Sequence, residues 1–231
     1  MDIRAGAAKV WSALNTEDKL IAGSLLLTIV GVGIAAAMRE PRVYGVTTLT
    51  VIAVLLVGII KTRSPRLAWL LPFGLVAGIL ELWSDWLHVA QIHSLVYTDY
   101  FGFQLLESPS YMPIGWWLTC IQFGYLALRL SDHWPHWVAL TVVVLLGMAL
   151  PPWYEEFAAP AQAWYYTTAR LMLSHTPVWI ILTYGGCMFS IGTLALLLYR
   201  PGDWWRAAVG GVFTAAGFML SAVFWYVALG G

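Results

Sequence analysis

Seven long apolar runs follow one another along this chain, near 19–38, 44–61, 66–91, 111–130, 137–157, 177–199 and 204–228. Each comes close to the roughly 20 residues that a helix needs to cross a bilayer. Runs of that length leave few folds open. The expectation is an all-α, polytopic membrane bundle of about seven transmembrane helices. Composition agrees, since 60% of the 231 residues are hydrophobic and only 10% are charged. A soluble domain carries about 25% charged residues.

The charged residues balance at 12 basic against 12 acidic, so no basic surface points to nucleic acid. Cys120 and Cys187 both fall inside apolar runs and read as small core residues. Fourteen tryptophans serve interfacial belts and also supply aromatic walls for an apolar ligand. Residues 1–18 contain Asp2, Arg4, Lys9, Glu17 and Asp18, too polar for the apolar stretch of a cleavable leader. They are expected to form an N-terminal interfacial segment, with Val10, Trp11 and Leu14 on one side and a cap near Asn15-Thr16. Residues 19–231 then make a single transmembrane domain.

Basic residues set the expected orientation. With the N-terminus in the cytoplasm, nine Lys and Arg lie inside and three, Arg39, Arg42 and Arg170, lie outside. The C-terminus and two long loops, near 92–110 and 158–176, then face outward. The expected location is a bacterial inner membrane. Long loops in a compact membrane protein are usually functional or docked on its surface.

A weak internal repeat links those loops. Glu81 and Asp85 lead into VYTDYFGFQLLESPSYMPIGWW, and Glu155 and Glu156 lead into AWYYTTARLMLSHTPVWIILTYGG. Each copy has carboxylates near a helix end, a Tyr-rich stretch, then a Ser/Pro-led return into the next span.

The sharpest chemical feature is ELWSDWLHV at 81–89. On a helix Glu81, Asp85 and His88 fall within about 60° of one another. Gly74 and Gly78 continue the same stripe, and a Gly-xxx-Gly stripe admits a close neighbouring helix. This face therefore points into the bundle. A charge at the centre of a membrane costs about 2.5–3.5 kcal/mol. The acids can lower that cost by sitting near the interface, by binding a cation or by staying protonated. A proton-donating acid in a dry pocket suits acid chemistry on an apolar molecule. A hydrogen-bonded structural plug is the plain alternative. A metal site from Asp85, His88 and His93, completed by Glu81 or Glu155, is a third, but no metal-ligand spacing supports it and no cofactor is expected.

Pro151-Pro152 should kink the fifth span just ahead of Glu155 and Glu156. Arg170 is the available counter-ion in the second long loop. The candidate catalytic set is Glu81, Asp85, His88, Glu155 and Glu156. The candidate substrate wall is Tyr97, Tyr111, Trp116, Trp117, Gln122, Trp164, Tyr165, Arg170, His175 and Trp179.

Carboxylates at helix ends, Tyr-rich hairpins and returns such as SPSYMPIGWW resemble small polytopic proteins of carotenoid biosynthesis, the membrane carotenoid 1′,2′-hydratases and the transmembrane lycopene cyclases. The resemblance spans about residues 78–185. The cyclases carry Pro-x-Glu-Glu, where this chain has PPWYEE with one extra residue. It implies a lyase or isomerase in which Glu155 or Glu156 protonates a polyene end group. The leading expectation is thus an integral membrane enzyme performing hydration, cyclisation or isomerisation on a long apolar isoprenoid or lipid. Its partners would be membrane lipid and that substrate. A non-catalytic subunit of a larger energy-transducing or pigment-binding complex, and a transporter, are the rivals.

Overall fold

The architecture is seen in a computed structural model that describes residues 14–99, 101–167 and 169–230. The expected interfacial segment falls almost wholly outside these residues. Its end does not: Asn15 caps the first described helix, α1 (Thr16–Met38), accepting from the Asp18 amide at 2.7 Å while Asp18 accepts from the Asn15 amide. This reciprocal pairing satisfies two amides that the helix start would otherwise leave unpaired.

The chain is an all-α bundle. After α1 come α2 (Arg42–Thr62), α3 (Pro65–Trp86), α4 (Met112–Ser131), α5 (His136–Ala149), α6 (Pro151–Ala158), α7 (Val178–Leu198) and α8 (Trp204–Trp225). A π-helical turn, Leu87–Gln91, extends α3, and another, Tyr226–Gly230, extends α8. The break between α5 and α6 falls at Pro151-Pro152, where prolines without N–H groups interrupt the ladder. Counted as one bent rod, α5 and α6 bring the total among the described residues to seven, six of them long and apolar enough to span a membrane. The seventh, α4, is less apolar because it packs inside the bundle rather than against lipid, with Leu118 through Leu128 mostly buried.

Exposed Leu26, Val30 and Ile34 on α1, Val54, Val57 and Ile60 on α2, and Leu220 and Phe224 on α8 form the outer apolar surface. Around the short α4–α5 and α7–α8 turns, Trp134, Trp137, Trp204 and Trp205 are exposed, as expected of an aromatic belt. At the same end Arg66 grips Asp132 with two hydrogen bonds of 2.6 and 2.7 Å, and Arg129 pairs with Asp18 at 3.0 Å. These pairs tie α1, α3 and α4 together.

The Gly stripe of α3 does what its spacing suggests. A Cβ at Gly78 would overlap the Pro113 carbonyl of α4, and one at Gly74 would lie 2.9 Å from the Trp117 carbonyl. On the other side Gly211 lets α8 approach the backbone of α3 at Phe73.

The two long loops pair with each other. Strand β1 (Leu95–Tyr97) of the first runs antiparallel to β4 (Trp164–Tyr166) of the second, with Tyr97 opposite Trp164 and Leu95 opposite Tyr166. The pairing is nearly two-fold symmetric. Thr98 N donates to Ala163 O at 3.0 Å and Thr167 N to Ser94 O at 3.1 Å. The hydroxyls of Thr98 and Thr167 reach back to the carbonyls of Gln162 and His93, residues that share a left-handed backbone at φ 57° and 56°. Each loop then folds a tiny hairpin, β2 (Gln104–Leu105) with β3 (Ser108–Pro109), and β5 (Met172–Leu173) with β6 (Thr176–Pro177), before entering α4 or α7. The weak repeat of the sequence is therefore a repeat of structure.

Candidate functional site

Beneath the paired loops lies a cavity with about 150 Å³ of room for the centres of water-sized molecules. That is about ten times what one water needs, too large for a packing defect. Helices α1–α4, α6, α7 and α8 contribute to its wall, as do both central strands.

Asp85 sits in the last turn of α3, on the wall. Its Oδ2 accepts from Tyr97 Oη at 2.7 Å and from Ser108 Oγ at 2.8 Å. Glu155 sits across from it on α6. Its Oε2 accepts from Trp164 Nε1 at 2.7 Å and Tyr166 Oη at 2.9 Å, and its Oε1 from Tyr184 Oη at 2.7 Å. Both carboxyls are buried, so they depend on these donors in place of water. Burial pushes the phenols of Tyr97 and Tyr166 well above the ordinary tyrosine range, with Asp85 and Glu155 respectively adding to the effect, so both remain O–H donors.

Glu81 lies one turn before Asp85, buried, and among the described residues its Oε2 has no hydrogen-bond partner. His88 follows on the π-helical turn. Its Nδ1 lies 2.9 Å from Ser94 Oγ and its ring stacks on Trp179, with centroids 5.0 Å apart, while Nε2 has no partner among the described residues. Glu81, Asp85 and His88 thus do share the stripe that faces into the bundle.

Of the expected wall, Tyr97, Tyr111, Trp116, Gln122, Trp164 and Trp179 line the cavity. Gln122 also donates to Ser24 Oγ of α1 at 3.0 Å. Trp116 lies against Tyr184 and Phe218. The remainder lie elsewhere. Glu156 turns to the β5–β6 hairpin, accepting from Thr176 N at 2.9 Å, Thr176 Oγ1 at 2.6 Å and His175 N at 3.0 Å. His175 is exposed beside it, and Tyr165 is exposed as well. Arg170 is exposed and makes no ion pair with Glu155 or Glu156, so it is not their counter-ion. Trp117 packs on Gly74 outside the wall. His93 bonds the Val89 carbonyl at 3.0 Å, and among the described residues no group of three His, Cys, Asp or Glu is placed to hold a metal.

Sequence reasoning missed Tyr166, Ser108, Tyr184 and Thr183. A signal existed for Tyr166: each central strand ends at a Tyr followed by a Thr, Tyr97-Thr98 and Tyr166-Thr167, and each Tyr serves the acid of its own half. Tyr184 and Thr183 are polar residues within an apolar span, which by itself marks an inward face.

The model of a family described as a domain of unknown function (DUF6989) matches residues 82–229. The chain belongs to this family. No curated protein and no solved structure matches it. The DUF6989 region runs from the end of α3 through α8, so it holds Asp85, His88, Glu155 and both paired loops. Helices α1 and α2 precede it and complete the cavity through Thr28, Val32, Tyr44, Thr47 and Thr48.

Proposed function

We propose that this protein is an integral membrane enzyme that performs acid–base chemistry, a hydration, cyclisation or isomerisation, on a long apolar isoprenoid or lipid. One observation carries the reading. Carboxyl groups from two matched halves, Glu81 with Asp85 and Glu155, face one buried aromatic cavity. A transferable proton and a fixed acceptor on opposite walls are what such reactions need.

The partners of the acids suggest their roles. Asp85 and Glu155 are tied by two and three donors, which hold each as a positioned acceptor. Glu81 shares a hydrogen bond with Asp85, but its Oε2 has no partner among the described residues, and Glu81 is the group that gives a proton to a bound molecule. His88 stands within the same wall to relay or orient. Of the two glutamates singled out by the likeness to carotenoid hydratases and lycopene cyclases, Glu155 takes part, as the acceptor that partners Glu81, and Glu156 does not, because it is engaged by the hairpin. In this reading the paired loops face the outer side of a bacterial inner membrane, and the substrate comes from the bilayer.

The test compares lipid extracts of cells expressing the wild type and Glu81→Gln by mass spectrometry. A product heavier than its precursor by one water, or an isomer of equal mass, should accompany the wild type alone. Identical extracts from both, with both proteins folded in the membrane, would sink the assignment.

A further inference from the structure

Seven buried side-chain polar atoms have no hydrogen-bond partner among the described residues, and four of them belong to residues that line this one cavity. They are Glu81 Oε2, His88 Nε2, Trp179 Nε1 and Thr183 Oγ1. Buried polar atoms are almost always paired in proteins, because leaving one dry forfeits its bond to water. Four such residues around one cavity mark a place where a ligand supplies the partners. Trp179 Nε1 only donates, so that ligand carries an acceptor. Thr183 and His88 can each give or take a hydrogen bond, as a hydroxyl or carbonyl requires.

Charge narrows the class further. No Lys or Arg is among the described residues that line the cavity, whereas Glu81, Asp85 and Glu155 all are. A phosphate or diphosphate would meet carboxyls without a counter-ion, and anions in dry sites need one. The remainder of the wall is uncharged: Thr28, Thr47, Thr48, Ser84, Thr119 and Gln122 stand among apolar and aromatic residues such as Leu118, Trp116, Ile180 and Phe218.

We infer that the cavity takes a neutral amphiphile, an apolar chain with a hydroxyl or carbonyl oxygen that pairs with His88, Trp179 and Thr183, and that it rejects both the bare hydrocarbon and the diphosphate. This rests on the reading of the cavity as a substrate site and names the substrate class.

The test is binding, read apart from turnover. Trp116, Trp164 and Trp179 line the cavity, so tryptophan fluorescence of the purified full chain in detergent should report occupancy. The probes are farnesol, farnesyl diphosphate and the matching hydrocarbon with a methyl in place of the hydroxymethyl group. Farnesol should bind at least about tenfold more tightly than either of the others, the margin of one or two good hydrogen bonds. Thr183→Val, nearly isosteric, and His88→Phe, which keeps a ring to stack on Trp179, should each shrink the alcohol-over-hydrocarbon ratio to about threefold or less. Equal binding of the three, binding of none, or a ratio unchanged in both variants overturns the inference. A clear farnesol preference in a protein that converts nothing upholds it and removes only the enzyme reading.

Discussion

Tyr97 and Tyr166 hold matching posts in the two halves of this protein. Each ends a central strand, and each donates its hydroxyl to the buried acid of the preceding helix, Tyr97 to Asp85 at 2.7 Å and Tyr166 to Glu155 at 2.9 Å. The paired loops therefore do two jobs at once: they roof the cavity and orient its acids. Removing either phenol leaves a buried carboxyl one donor short, which costs about 1–3 kcal/mol. Tyr97→Phe should be the more damaging change, because Asp85 would keep a single neutral donor, Ser108, beside the carboxyl of Glu81, while Glu155 would keep Trp164 and Tyr184. Thermal unfolding in detergent of both variants checks the order.

The neighbouring glutamates should separate sharply in activity. Glu155→Gln is expected to lower product formation by about 10²–10⁴-fold, the usual weight of a positioned acid or base. Glu156→Gln should stay within a few-fold of wild type, since Glu156 bonds Thr176 and His175 of the β5–β6 hairpin and not the cavity. Its effect should appear instead as faster proteolysis within residues 172–177. Equal loss of product in both variants would contradict this division.

Acid should loosen the end of the bundle away from the cavity. The Arg66 guanidinium, with its two hydrogen bonds, holds the Asp132 carboxyl below the usual aspartate range, and Arg129 adds to this. A group whose pKa is depressed by folding gives its full stabilisation above the unfolded value, near 3.9, and loses it as pH falls through the lower folded value. The melting temperature should thus drop as pH goes from about 5 to about 3. Asp132→Asn should melt lower than wild type at pH 6 and show a shallower acid slope.

The α3–α4 contact should tolerate no added methyl group. Gly78→Ala places a Cβ on the Pro113 carbonyl, and backbone cannot step aside as a flexible side chain would. Overpacking of this kind costs about 1–3 kcal/mol. Gly33→Ala is the contrast, because nothing lies within 4 Å of the new Cβ. That variant should be neutral or slightly stabilising, since alanine favours a helix over glycine by about 1 kcal/mol. Thermal unfolding of the pair separates close packing from helix propensity.

Much of this fold was legible from residues alone. Seven apolar runs became seven rods among the described residues, six of them long and apolar enough to span a membrane, Asn15 became a cap, Pro151-Pro152 became a break, and the Gly74–Gly78 stripe became a close helix contact. These outcomes depend on local requirements. A backbone in lipid must bond within its own helix, a helix start needs its amides capped, and proline offers no N–H. The acidic stripe was legible for a similar reason, since residues at i, i+4 and i+7 share a face wherever the helix goes.

Which way each helix is rotated was not legible. Glu155 enters the cavity and Glu156 leaves it, and Trp116 enters while Trp117 does not. Adjacent residues point about 100° apart, so rotation decides between them. In a soluble protein the polar face of a helix would reveal that rotation. Here lipid and protein interior are equally apolar, so spans apolar on all sides carry little trace of it. The union of two loops about 70 residues apart, and of Asp85 with Ser108 and Glu155 with Tyr184, arises only when the halves close on each other. The sequence by itself determined the rods, their breaks and the presence of buried acids, because those follow from short-range chemistry. Tertiary packing alone decided which acids meet, which donors hold them and which polar atoms remain for a ligand, because those depend on contacts between segments far apart in the chain.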